Sequence, residues 1–416
     1  MFCYYKIRSC NMNENFQKFF DSLLVKEGIS KSFLEHRSFT ESSDFTEFNA
    51  PIDLSIYSFP KNVLSEKIGT HPDFEDGNLP VNQFICSIFL DIKGSTNLSL
   101  HYPLKTVQSI KNALITFGIK VIKYFGGHIH RIQGDAIFAF TGFRNIKKSD
   151  AIIQAINACS IIQYFNKKYL EDYFKNELGV DPLKIRIGID FGDDDEVLWS
   201  RYGIENIEEI SVTSIHADLA SKLQHKAGSN SIILGHNAYN YLQIHSDLLD
   251  NVRNSKDEVI SYIINRSDLG YQYGMKVFKW NEYLNRISHV DKDELMELRC
   301  YADEVEYFTN SSIDKDVSLK FKICASQFVL EDIKNVKWTV MNSGEEAKKV
   351  GKVSFDYKDA EDKLECKTKT SYNGEHFMKC EIKRKSGLKK ILWFTIFIND
   401  NSLSKNYLKK IEYIGE

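Results

Sequence analysis

The stretch from Phe84 to Leu90 is an almost unbroken apolar run. A strand that is apolar at nearly every position needs cover on both faces. It ends in Asp91-Ile-Lys-Gly-Ser-Thr. Leu104, Val107, Ile110, Leu114, Phe117, Val121 and Phe125 then recur at three- and four-residue steps, which predicts a helix with one buried stripe. Pro103 suits its first turn, and Gly126-Gly127 suits its end. Two strands are predicted at His128–Ile132 and Ala136–Phe140, joined by a tight Gln133-Gly134-Asp135 turn. A second helix is expected from about Asp150 to Tyr169 and a strand at Leu183–Phe191. An acidic, irregular loop precedes a third helix at roughly His216–Lys226 and a short strand at Ser231–Leu234. The order is β-α-β-β-α-β, the ferredoxin-like pattern of an α+β fold, which gathers strand ends and turns on one rim.

Elsewhere the pattern is weaker. Residues 1–80 read as an N-terminal extension, with a short amphipathic helix at Asn15–Val25 and a loop at Ser38–Asp53. The first eleven residues show no pattern of their own, so Met12 is an alternative start. Residues 81–245 form the α+β domain, and 246–315 a helical or irregular connector. From 316 to 416, short strands alternate with Asn-Ser-Gly and Asn-Gly turns, which predicts a smaller all-β domain.

Composition excludes several classes of function. The chain of 416 residues is 43% hydrophobic and 27% charged, which suits globular domains rather than a disordered or collagenous chain. Its net charge of −3 gives no field that points to nucleic acid as a partner. The longest apolar run, Ile391–Ile398, falls well short of the ~20 residues a spanning helix needs. With no secretory stretch at the N-terminus, the expectation is a cytoplasmic protein with no membrane partner. None of the eight cysteines forms a C-x-x-C pair, so a zinc or redox site is not expected. Cys366 and Cys380 lie on expected neighbouring strands, where spacing alone permits a disulfide.

Asp91 ends the first buried strand, and Asp135 sits in the turn of the following hairpin. In a ferredoxin-like sheet the strands are neighbours, so both carboxylates reach one rim. Oxygen-only ligands there suit Mg²⁺ or Mn²⁺, which keep waters and bridge to phosphates. Gly94 and Gly134 leave the backbone open to a triphosphate, and Ser95, Thr96 and the helix start offer N–H donors. Lys93 either reaches a phosphate or is solvated. Read alone, each aspartate is also a plain strand terminator or turn residue.

Four segments resemble class III nucleotide cyclases. Phe89-Leu90-Asp91-Ile92-Lys93-Gly94-Ser95-Thr96 is similar to the first metal motif, and Gly127 to Phe140, containing Arg131, Gly134 and Asp135, to the second. Ile185 to Gly192 resembles the R-x-G-I-x-x-G strand, and Ala217-Asp218-Leu-Ala-Ser-Lys222-Leu223 the V-N-x-A-x-R-L helix. Further on, Trp338 to Ala347 and Tyr372 to His376 resemble the adenylyl/guanylyl cyclase and SMODS C-terminal sensor domain. The combination looks like the Pycsar pyrimidine cyclases of anti-phage defence.

The resemblance implies that Asp91, Asp135 and the carbonyl of Ile92 hold two divalent ions, Mn²⁺ or Mg²⁺. It implies a homodimer whose active sites are completed across the interface. The product is a 3′,5′-cyclic nucleotide read by a separate effector protein. Asp218 and Lys222 stand where the family has Asn and Arg. They lie four residues apart on one helix face, where the alternative reading is a surface ion pair. Arg131 stands at a base-reading Lys position, and Ser211 near the second, with Glu208 and Glu209 just before it. This breaks the purine pattern. A planar donor fork at Arg131 suits a smaller, carbonyl-bearing base, unless Arg131 only pairs with nearby carboxylates. The substrate expected is UTP, giving cyclic UMP. CTP, ATP and a catalytically inactive nucleotide-binding sensor are the alternatives. His128 and His130 are read as sheet-surface residues. Trp338 and Tyr372 are read as core and corner aromatics.

Overall fold

The structure is a computed structural model. It describes residues 67–399, apart from 75–76, 78, 172–173, 176–179, 266–269, 288–289, 292–295, 304 and 358–362, together with 412–413. The expected helix at 15–25 and loop at 38–53 lie outside these residues. The chain forms two compact units. The first comprises the described residues up to Arg144, with Gln154–Ile189 and Asp194–Ile232; the second comprises Asn145–Ile153, Asp190–Asp193 and the described residues from Ile233 on.

The β-α-β-β-α-β pattern is present, mostly within the first unit. Its elements are β1 (Ile85–Lys93), α1 (Ser95–His101), α2 (Leu104–Tyr124), β2 (His128–Gln133), β3 (Ala136–Thr141), α3 (Lys148–Phe165), β4 (Lys184–Gly192), β5 (Leu198–Ile204), β6 (Ile207–Thr213), α4 (Ile215–Lys226) and β7 (Ser231–Gly235). The strands run in the order β2-β3-β1-β4-β7, and the same sheet continues with Met275–Phe278 and Leu249–Asn251. The first four give the 2-3-1-4 arrangement of a ferredoxin-like sheet. The pattern places β1 centrally, and Ile85, Cys86, Ile88 and Leu90 are buried. β1 and β3 are antiparallel, from Cys86 opposite Thr141 to Leu90 opposite Ile137.

Two expectations change here. The acidic stretch before α4 is an antiparallel hairpin, β5 and β6, paired from Leu198–Thr213 to Ile204–Ile207. Asn206 makes its tight turn in the left-handed region, at φ 66°. The turn sequence is Glu205-Asn206 rather than Asn-Gly, and apolar and polar residues do not alternate strictly along the two half-exposed strands, so the hairpin signal is weak. His128 and His130 are fully buried rather than on an open sheet surface. Trp199 of β5, His71 and Phe140 cover that face, with ring centroids of His71 at 4.3 Å from Trp199 and 5.0 Å from Phe140. Burial lowers the His71 pKa to about 2 and that of His130 below its usual range, so both are neutral.

In the second unit, β8 (Met296–Ala302), β10 (Ser318–Cys324) and β13 (Glu365–Lys369) share one sheet. β9 (Ser311–Ile313), β15 (Lys389–Ile398), β14 (Gly374–Arg384), β11 (Ile333–Asn342) and β12 (Ser354–Tyr357) form the other, in that order. Their inner faces share a core that includes Leu298, Phe321, Trp338, Met378 and Phe394. Trp338 is fully buried, with its indole N–H on the Lys363 carbonyl at 3.2 Å. Two short helices, α5 (Gln327–Asp332) and α6 (Glu345–Lys349), interrupt the strands. Cys366 and Cys380 are free thiols, so no disulfide joins them. Residues 246–315 hold more regular structure than expected, with strands at Leu249–Asn251, Tyr262–Asn265, Gly270–Tyr273 and Met275–Phe278 besides β8. Their short length hid them in a polar sequence.

Candidate active site

Asp91 is near the end of β1. The β1–β3 register reaches Leu90 opposite Ile137, so the next pair in register is Asp91 and Ala136, with Asp135 one residue further into the turn. The two aspartates therefore share one end of adjacent strands. Gly94 caps α1 at φ 76° and Gly134 turns the hairpin at φ 65°, both in the left-handed region that favours glycine. A Cβ at either would meet nothing within 4 Å, so the backbone there is open to a ligand. Ser95 is buried and Thr96 exposed at the start of α1. Lys93 is exposed, with its ammonium 3.3 Å from the Ser229 hydroxyl.

The two carboxylates are held differently. Asp91 Oδ2 accepts from the Arg186 guanidinium at 2.5 Å and from Gln224 Nε2 at 3.0 Å. Arg186 is on β4 and Gln224 on α4. They meet Asp91 because α4 lies directly on β4: a Cβ at Gly188 would fall 2.1 Å from the Ala220 carbonyl oxygen and 2.6 Å from Gln224 N. Only glycine permits that approach, which is the physical content of the glycine in the R-x-G-I segment. Asp135 Oδ1 faces the Lys111 ammonium at 3.7 Å. Asp135 Oδ2 is buried and has no hydrogen-bond partner.

That orphaned oxygen fits a divalent cation, because burying an unpaired carboxylate oxygen is costly. Among the described residues, no group of three or more His, Cys, Asp or Glu side chains could hold an ion by itself. A cation at Asp91 and Asp135 would draw its remaining oxygens from the Ile92 carbonyl, water and phosphate, as Mg²⁺ and Mn²⁺ sites commonly do.

A cavity of about 690 Å³ is lined by Arg131, Tyr202, Glu209, Ser211, Thr213 and Asp218, among others. Arg131 on β2 is ion-paired with Glu209 on β6. The adjacent residues fix that pairing: His130 Nε2 donates to the Ile210 carbonyl at 2.7 Å, and Gly69 bonds both His130 O (2.8 Å) and Ile210 (2.9 Å). A register irregularity between Ile129 and Arg131 accompanies this contact. Tyr202 and Thr213 join by their hydroxyls across the hairpin. Ser214 caps α4 by accepting from His216 N at 3.2 Å. Asp218 and Lys222 are both exposed on α4, whose Leu219, Ala220 and Leu223 face inward. No ion pair joins Asp218 to Lys222 among the described residues, which removes the surface-pair reading.

In the sequence, Arg186, Gln224 and Lys111 carry no signal of a role, and Glu209 lies out of register with the base-reading position. Arg186 is visible only as the first residue of the R-x-G-I segment. Glu209 needed the hairpin register.

The 2-3-1-4 sheet, with paired acids on adjacent strand ends beside an open glycine-bearing backbone, has the class III nucleotide cyclase fold. The chain matches the adenylate and guanylate cyclase catalytic domain over residues 80–266 and the adenylyl/guanylyl and SMODS C-terminal sensor domain over 278–399. It is 44% identical to a cytidylate cyclase of Staphylococcus aureus over 364 residues, 82% of this chain and 85% of that one. The chain belongs to this family of Pycsar-type nucleotide cyclases and is a nucleotide cyclase. A cytidylate cyclase of Escherichia coli is 35% identical over 239 residues, 54% of this chain and 51% of its own. Among solved structures, the adenylyl cyclase CyaB from P. aeruginosa aligns at TM-score 0.41 and 19% identity, over 48% of this chain and 96% of that one. No described helix is long and apolar enough to cross a membrane.

Proposed function

We propose that this chain is a pyrimidine nucleotide cyclase acting as a homodimer, with CTP as its preferred substrate. The 3′-oxygen of the ribose attacks the α-phosphorus in line, pyrophosphate leaves, and 3′,5′-cyclic CMP forms. Asp91, Asp135 and the Ile92 carbonyl would hold two Mn²⁺ or Mg²⁺ ions, which would supply charge neutralisation at the phosphates and lower the pKa of the 3′-hydroxyl. Arg186 and Gln224 hold Asp91 in place. Lys93, with the amides of Gly94, Ser95 and Thr96, binds the triphosphate. Asp218 accepts from a ribose hydroxyl. Lys222 stabilises the charge that builds on the α-phosphate, as a point charge without a bidentate fork.

The observation that carries the base assignment is the Arg131–Glu209 pair in its cavity. It offers a donor beside an acceptor. Cytosine presents an N4 amino donor beside the N3 acceptor, so Glu209 accepts from N4 while Arg131 donates to the ring. The names of the relatives point the same way. UTP is the second reading, because uracil offers O4 and N3–H, which the same pair meets in the opposite order. The dimer reading rests on the split between the two residue sets: neither Asp91 nor Asp135 lines the cavity that holds Arg131 and Asp218. A second copy brings the sets together. We place the product, with the family resemblance, as an anti-phage second messenger for a separate effector.

Incubation of purified protein with each of the four NTPs and Mn²⁺, followed by mass identification of the product, tests this. Cyclic CMP as the dominant product is expected. Dominant cyclic AMP would end the pyrimidine reading, and no cyclic product from any NTP would end the enzyme reading.

A further inference from the structure

The C-terminal all-β domain has a cavity of its own. It measures about 310 Å³, the low end of the roughly 300–1,000 Å³ typical of small-molecule sites. It opens between the edge strands of the two sheets, β12 and β13. The Tyr357 hydroxyl donates to Thr368 Oγ1 at 2.6 Å and so ties those edges together. The floor is apolar, with Phe321 and Met378 buried beneath it. Phe355 and Tyr357 supply rings on one wall, their centroids 5.4 Å apart. Lys352 lines the cavity, its ammonium 5.6 Å from the Phe355 ring centre. Lys369 is tied to Asp316 at 2.9 Å, whereas Lys352 makes no ion pair among the described residues.

The remaining wall contains a hydrogen-bond conflict. His376 is almost fully buried, at 3% exposure. Its Nδ1 lies 2.8 Å from Asn342 Oδ1 and its Nε2 lies 2.7 Å from the Tyr372 carbonyl. Asn342 cannot turn its amide to help, because Nδ2 already donates to the Lys352 carbonyl at 2.6 Å. Both ring nitrogens therefore face acceptors. A neutral imidazole has one N–H, so one acceptor goes short; an imidazolium satisfies both. Burial holds the His376 pKa down, to about 4, so the ring is neutral near pH 7. The charged neighbours divide. His245 opposes protonation and Glu346 favours it. Glu346 is itself occupied by Lys315 at 2.8 Å and by the Asn373 N–H at 3.0 Å. Glu375, next along β14, is turned to the His245 N–H at 2.9 Å. A negative charge placed in the cavity would favour the second proton and resolve the conflict.

We infer that this cavity binds a small anion bearing a planar ring, seated against Phe355 and Tyr357, paired with Lys352, and coupled to proton uptake by His376. The ring chemistry follows from the aromatic wall and apolar floor. The anionic chemistry follows from an unpaired ammonium and a buried imidazole that is short of one proton. The size limits the ligand to about a mononucleotide. No proposed catalytic residue lines this cavity, and its assignment does not depend on which nucleotide the enzyme cyclises.

The test is titration calorimetry of the full chain at pH 6.5, in two buffers of different ionisation heat. Three probes separate the chemistry: 5′-CMP carries ring and anion, cytidine the ring only, and inorganic phosphate the anion only. CMP is expected to bind at least tenfold more tightly than either other probe, with net proton uptake. Because CMP also resembles the proposed substrate, Arg131→Ala and Lys352→Glu are compared. Both residues are solvent-accessible, so both variants should fold. Binding at this site survives Arg131→Ala and falls at least tenfold in Lys352→Glu. His376→Gln, checked for folding by its melting curve, should remove the proton uptake. Binding that vanishes with Arg131→Ala and ignores Lys352→Glu overturns the proposal, as does the absence of CMP binding. Equal binding of phosphate and CMP overturns the ring, and binding here without proton uptake overturns the role of His376.

Discussion

The two cavities handle charge in opposite ways. In the catalytic unit both arginines of the candidate site are paired before any ligand arrives: Arg131 with Glu209, and Arg186 with Asp91. In the C-terminal unit the key imidazole is buried and one proton short of satisfying its neighbours. A prepaired site gains orientation, since each side chain is already fixed when the substrate enters. A proton-deficient site gains sensitivity, since a ligand's charge changes the protonation of the wall. The difference suits one unit to chemistry and the other to detection.

Substitutions should sharpen this contrast, beginning with the largest effect. Asp91→Ala or Asp135→Ala should lower cyclic nucleotide formation by at least a thousandfold, measured by product mass analysis, in a chain whose melting curve still shows cooperative unfolding. Activity within tenfold of the native chain would dismantle the two-acid site. Arg186→Met should cost about ten- to a hundredfold in kcat/KM, because a charge-assisted hydrogen bond of about 1.5–3 kcal/mol no longer orients Asp91. Unchanged kinetics would show that Gln224 suffices alone. Glu209→Gln should reduce the preference for CTP over UTP by about tenfold, in a direct competition assay, since the amide places a donor where the cytosine amino group needs an acceptor.

The smallest effect concerns pH. Burial pushes the Glu375 carboxyl up to about 7 from an ordinary 4.5. The folded state then holds a proton that the unfolded state has released, so stability falls as pH rises from 4.5 to 7. His376, held down to about 4 from 6.5, runs the other way: its contribution rises with pH between 4 and 6.5. The two slopes oppose each other over the shared window. Glu375→Gln should remove the falling contribution of Glu375, so chemical denaturation should show the pH dependence of stability between pH 4.5 and 7 shifted upward relative to the native chain by up to about 1.4 kcal/mol per pH unit. A profile that runs parallel to that of the native chain would contradict the buried, protonated state of Glu375.

Much of this was legible in the residues, for identifiable reasons. β1 is buried on both sides, so its apolar run announced it, and the long stripe of α2 did the same. Asp91 and Asp135 were readable because they terminate strong elements. The hairpin β5–β6 was not, because its half-exposed strands do not alternate strictly and Glu205-Asn206 is a weak turn signal. With the hairpin went Glu209, the partner of Arg131. His128 and His130 were misplaced for a related reason: their cover comes from His71 and Trp199, both distant in sequence. Gln224 was invisible because its meeting with Asp91 depends on how closely a helix rides on a strand.

That close seating has a mechanical consequence. α4 presents Asp218 and Lys222 to solvent on one side and anchors Gln224 to Asp91 on the other, while resting on bare backbone at Gly188. A rod so tightly bedded cannot tilt on one flank and stay still on the opposite one. In a twofold assembly, where its outer flank would serve one reaction centre and its inner flank the other, occupancy at either would be transmitted through a single lever.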